Sequence, residues 1–144
     1  MQNDGADTRG SLFQKIQSMT VAEKIDLARN APKEARTILL RDSNKLVQIA
    51  VITSPKITES EIIAIANNKQ VSDEVLREIA MNREWLRNYQ VRLALVNNPK
   101  TPLSIAMAQI PYINQRDLSM LAKSRAIPRP ITVAAQGRLK EVKK

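Results

Sequence analysis

VRLALVNNPKTPLSIAMAQI, residues 91 to 110, runs apolar, halts on two asparagines and a proline, and restarts behind a second proline. Shifting the sequence by 44 residues lays VQIAVITSPK (47 to 56) on VRLALVNNPK (91 to 100): Val, Ala, Pro and Lys are identical, with aliphatic residues exchanged between them. The stretch is therefore a unit the chain uses more than once. Two short helices around a proline turn form a unit of roughly 22 to 28 residues, which buries its apolar face only against neighbours.

Working outward, the same grammar recurs. Thr20-Val-Ala-Glu23 has the form of a capping box, as does Thr58-Glu-Ser-Glu61, and Ser72 is placed to cap a third segment that opens with Asp73 and Glu74. Segments close on LARN (27 to 30), IANN (65 to 68), IAMN (79 to 82), LVNN (95 to 98) and LAKS (121 to 124). Each ends on a residue that tolerates the left-handed conformation or caps its neighbour. All seven prolines fall between apolar segments and interrupt none of them. The expectation is an all-α fold, a right-handed solenoid of about nine or ten short helices in pairs. Residues 1 to 10, with two of the three glycines, read as a flexible arm, and residues 11 to 144 as one domain whose first helix, Ser11 to Ser18, acts as a cap.

The V-R-x-A-L-x-N-N-P-x-T-P pattern of residues 91 to 102, followed by an apolar helix, resembles the repeat of the leucine-rich-repeat-variant proteins, helical-pair solenoids related to HEAT repeats. The likeness weakens over 47 to 66, where Thr53-Ser54-Pro55 replaces Asn-Asn-Pro, and is partial over 118 to 134. It implies a fold and no active site, because the matching positions are scaffold positions. Some members carry a cysteine-liganded cluster, which a chain without cysteine cannot hold. The run NREWLRNYQV, residues 82 to 91, is similar to a run in bacterial proteins with helical segments of this kind, and implies no activity.

Composition narrows the chemistry. The chain has 144 residues, 43% apolar, and a mean hydropathy of −0.31. Without cysteine or histidine, thiolate metal sites, thiol nucleophiles and the commonest general base are all missing. No glycine-rich phosphate loop, nucleophile elbow or metal-ligand spacing is present, so neither catalysis nor a cofactor is expected. No apolar run is long enough to span a membrane, and the polar start lacks a signal-peptide pattern, which points to a cytoplasmic protein.

Charge is the functional signal. The net +9 is lopsided: residues 1 to 78 hold eleven basic and eleven acidic side chains, whereas residues 79 to 144 hold twelve basic against Glu84, Asp117 and Glu141. Arginine dominates the basic half, suiting bidentate contact with carboxylate or phosphate. The candidate docking residues are Arg87, Arg92, Lys100, Arg116, Lys123, Arg125 and Arg129. Inter-helix turns of a solenoid line up along an edge, which would set the cluster of Lys123, Arg125 and Arg129 beside Lys100 and Arg116. The tail cations Arg138, Lys140, Lys143 and Lys144 are expected to fray in solvent.

These features favour a non-enzymatic scaffold that docks an acidic protein surface, with nucleic-acid phosphates as the alternative polyanion. Trp85, Tyr89 and Arg92 share a face only if one helix spans them, and Asn88 as a cap would split that face; a lone Trp is better suited to the core. Some HEAT-like solenoids are DNA glycosylases with an aromatic-lined groove around an acidic residue. Asp117, Trp85 and Tyr89 are what such a groove would use here, but four aromatics in the whole chain make a poor one. Self-assembly through Leu12, Phe13 and Ile16 of the first helix is a further reading, and the oligomeric state is open.

Overall fold

The computed structural model describes residues 5 to 142, which form eleven α-helices and one 3-10 turn, with no strand among the described residues. The helices are α1 (Gly5–Gln17), α2 (Val21–Asn30), α3 (Lys33–Leu40), α4 (Lys45–Ile52), α5 (Glu59–Asn67), α6 (Asp73–Met81), α7 (Arg83–Leu86), α8 (Tyr89–Asn97), α9 (Leu103–Gln109), α10 (Gln115–Lys123) and α11 (Arg129–Val142), with the 3-10 turn at Ile110–Tyr112. Of the ten-residue arm, residues 1 to 4 lie outside the described residues, and Gly5 to Gly10 form the start of α1. Lys143 and Lys144 also lie outside them, while Arg138 and Lys140 belong to α11.

The chain divides into two compact units, residues 1 to 58 and 59 to 144. In the first, α2 packs on α4, and α3 packs on α1, α2 and α4. Its core joins Ile16, Ala28, Ala35, Leu39, Val47 and Val51, small aliphatic side chains that let short helices approach closely. Ile16 of the first helix is buried there and Leu12 packs against it, so of the three residues offered for self-assembly only Phe13 is exposed. In the second unit α8 packs on α5 and α9, and α11 on α10 and α9. Leu118, Leu121, Ile127 and Ile131 lie in its core with Val96 and Ala106.

Helix starts follow the sequence closely. The Thr20/Glu23 capping box is complete, with Thr20 Oγ1 accepting from Glu23 N–H at 3.2 Å and Glu23 Oε1 from Thr20 N–H at 2.8 Å. Those bonds hold the Glu23 carboxyl below its usual range, the Thr20 backbone bond contributing most. Asn44, Asn82, Asn88 and Asn114 cap α4, α7, α8 and α10 by the same chemistry. Ser72 differs: it occupies the N-cap position of α6, but its side chain makes no cap hydrogen bond.

Helix ends depart from expectation in an instructive way. LARN, IANN, IAMN, LVNN and LAKS each close a helix, yet the C-cap residues Ala31, Asn82, Asn98 and Ser124 are extended, with φ between −93° and −70°. None is left-handed. Asparagine and serine serve these turns through their side chains instead. Ser54, Asn68, Asn98 and Ser124 each accept, on the side-chain oxygen, the N–H two residues on: Lys56 at 3.3 Å, Gln70 at 2.8 Å, Lys100 at 3.0 Å and Ala126 at 3.1 Å. In every case the next helix starts five residues past the Ser or Asn, and the residue at the third step turns inward: Val71, Thr101 and Ile127 are buried and Ile57 half-buried.

Two of these turns also reach back to an earlier helix. Asn98 Nδ2 donates to the carbonyls of Ala66 (2.8 Å) and Asn68 (3.1 Å) at the end of α5. In the first unit Ser54 Oγ donates to Arg29 O (3.4 Å) and Lys56 Nζ to Asn30 O (3.0 Å) at the end of α2. Buried Arg36 donates to Ala31 O at 2.8 Å beside them. Carbonyls at a helix end have no partner within the helix, and cations there also meet the negative end of its dipole. Asn44 and Asn88, α4 and α8, Ser54 and Asn98, and α5 and α9 all stand 44 residues apart.

Candidate functional site

The seven basic candidates have different structural fates. Arg92, on α8, is turned onto its own unit: its Nη1 donates to Gln109 Oε1 at 2.8 Å, and its guanidinium lies over the Tyr112 ring, 3.8 Å from the centroid. Gln109 is buried and returns a bond from Nε2 to Ile105 O. Arg92 thereby fastens α8 to the end of α9 and to the 3-10 turn. Arg87 closes α7 and faces Glu84 at 3.5 Å, but with side chains 78% and 75% exposed that pair contributes little.

The remaining five are exposed and bring their charge to solvent. Lys100 lies in the α8–α9 turn, Arg116 in the first turn of α10, Lys123 in its last turn, Arg125 in the α10–α11 turn, and Arg129 at the first position of α11. Lys123, Arg125 and Arg129 are thus carried by a single turn and its flanking helix ends. The ion pairs Lys24–Asp42, Arg87–Glu84 and Arg138–Glu141 engage none of these five.

The acidic and aromatic residues nearby are committed elsewhere. Asp117 Oδ2 accepts the Tyr89 hydroxyl at 2.6 Å, and the same hydroxyl oxygen accepts Asn114 N–H at 3.2 Å, tying the start of α8 to the cap of α10. Burial and the bond to Asp117 push the Tyr89 phenol above its usual pKa. Asn88 both caps α8 and donates to Glu59 Oε1 at 2.8 Å, so the Trp85 to Arg92 run is broken into two helices as an Asn88 cap requires. Trp85 is half-buried, and Arg92 lies over one face of the exposed Tyr112 ring. A glycosylase-like arrangement of Asp117 with two aromatic walls is not what these contacts form.

Sequence reasoning missed the apolar residues among the cations. Met120 is 70% exposed on α10, and Leu103, Met107 and Val133 are exposed on α9 and α11. The signal was present: with Leu118 and Leu121 facing the core, helical periodicity sends Met120 outward. In the first unit an open groove of about 660 Å³ between α1 and α3 is lined by Phe13 and Ile38, with Lys33, Glu34 and Arg41 giving it both signs of charge. Among the described residues no cluster of carboxylates has the grouping of a metal site, and no helix is long and apolar enough to cross a membrane. No family model, curated protein or solved structure matches the chain.

Proposed function

We propose that this protein is a non-enzymatic interaction scaffold, a right-handed α-solenoid of short helical pairs, whose basic half docks an acidic protein surface. The observation that carries the reading is the set Lys100, Arg116, Lys123, Arg125 and Arg129: exposed, outside every ion pair among the described residues, and drawn from a half of the chain that holds only three carboxylates. A surface whose charges served solubility alone would mix signs. The likeness of residues 91 to 102 to the leucine-rich-repeat-variant pattern, and the helices, caps and turns that recur at 44 residues, support the repeat. A chain without cysteine suits a cytoplasmic setting.

A protein partner is favoured over single-stranded nucleic acid because stacking platforms are few among the described residues. Tyr89 is bonded to Asp117, one face of the exposed Tyr112 ring carries Arg92, and Trp85 is half-buried. The test is fluorescence anisotropy of labelled polyglutamate and of labelled duplex DNA, each titrated with the full chain at two salt concentrations. The reading expects saturable polyglutamate binding that duplex DNA displaces poorly. Tight DNA binding with a salt slope of several phosphates would make the surface a nucleic-acid site instead, and binding to neither would leave the charge a solubility device.

A further inference from the structure

We infer that the occupant of the basic surface is an acidic amphipathic helix laid along α10, an inference that rests on the acid-docking reading above. Leu118 and Leu121 hold α10 to the core. The opposite face presents Arg116, Met120 and Lys123 at i, i+4 and i+7, all exposed, with Met120 at 70%. These three side chains form a stripe of cation, apolar residue and cation two turns long, about 10.5 Å. The helix's own carboxylate, Asp117, accepts from Tyr89 and forms no ion pair with Arg116 or Lys123.

The packed neighbour α11 repeats the theme with Arg129 and Val133 at i and i+4, while its Glu141 faces its own Arg138 at 3.4 Å. Helix α6 makes the contrast: Asp73, Arg77 and Met81 are also exposed along one side, and Met81 is likewise 70% exposed, but the charges there are mixed. An exposed methionine alone is unremarkable; between two cations it supplies an adaptable apolar seat framed by anchors of one sign.

The stripe specifies its complement. Two carboxylates about two turns apart, with a Leu-like residue between them on the same side, meet Arg116, Met120 and Lys123 together when the partner segment is helical. An extended segment alternates its faces at each residue and presents these groups less readily in one line. The partner class is therefore a helix with Glu or Asp at i and i+7 and a large apolar residue at i+3 or i+4.

The test uses the full chain and three labelled probes: a helical peptide with Glu at i and i+7 and Leu at i+4, a peptide of identical composition with the Leu moved to the opposite face, and polyglutamate of equal charge. The patterned peptide is expected to bind at least tenfold more tightly than the permuted one. Met120→Asn removes that advantage, whereas Met81→Asn preserves it; both side chains are exposed, so both variants fold. Equal binding of the two peptides, or equal loss with either substitution, overturns the helix while polyglutamate binding keeps acid docking intact. Failure of all three probes to bind at near-physiological salt overturns acid docking itself, and the helix with it.

Discussion

Single side chains reveal which parts of this surface are structural. Thr101 occupies the inward step of its turn, where Val71 and Ile127 stand in two of the others; it is 4% exposed and its hydroxyl has no hydrogen-bond partner. Thr101→Val keeps the shape and removes the buried hydroxyl, and is expected to raise stability by about 1 kcal/mol in urea denaturation. Tyr89 carries a pH dependence of known sign. Burial first, and Asp117 second, raise its folded pKa above the unfolded value. Its contribution to stability is whole below about pH 10 and is lost as pH climbs through the folded value. Tyr89→Phe is expected to cost about 1 kcal/mol at neutral pH and to flatten that alkaline loss, read from thermal melts between pH 8 and 11. The contacts of Arg92 were not legible in the sequence: its neighbours Gln109 and Tyr112 lie 17 and 20 positions away, and charge counting does not see them.

At the scale of elements, the chain's punctuation was legible and its mechanism was not. Asparagine, serine and proline marked nearly every helix boundary, because a missing N–H or a short polar side chain is tolerated only there. What the boundary residues do depended on tertiary partners: Asn98 and Ser54 turn back to carbonyls 25 to 32 positions earlier. Asn98 is buried, with good distances to two carbonyls; Asn98→Ala is expected to cost about 3 kcal/mol, against about 1 kcal/mol for Ser54→Ala, whose bond to Arg29 O is long. Denaturant midpoints of the two variants measure the difference. The helix count exceeded the expected nine or ten because Asn82 and Asn88 each start a helix within seven residues, leaving α7 a single turn. Gly137 sits inside α11 with open space around its Cβ position, so Gly137→Ala is expected to stabilise by about 0.7 kcal/mol in the same assay.

Across the whole molecule, the all-helical class was readable from aliphatic composition, capping grammar and the 44-residue shift, since these are local properties of the chain. The charge asymmetry was equally plain. Which cations face solvent was not, because exposure is decided by packing: five candidates are exposed and free of ion pairs with the described carboxylates, Arg87 has a solvent-exposed ion pair, and Arg92 is bound inward. In the proposed function, the location of the exposed cations, and not net charge, confers binding to acidic polypeptide. Calorimetric titration of the full chain with polyglutamate tests it with two variants of equal charge change. Arg116, Lys123, Arg125 and Arg129→Glu reverses the proposed surface, and Lys15, Arg29, Lys33 and Arg41→Glu reverses exposed cations of the first unit. The first variant is expected to lose binding and the second to retain it within about threefold; equal loss in both would contradict the proposed docking surface.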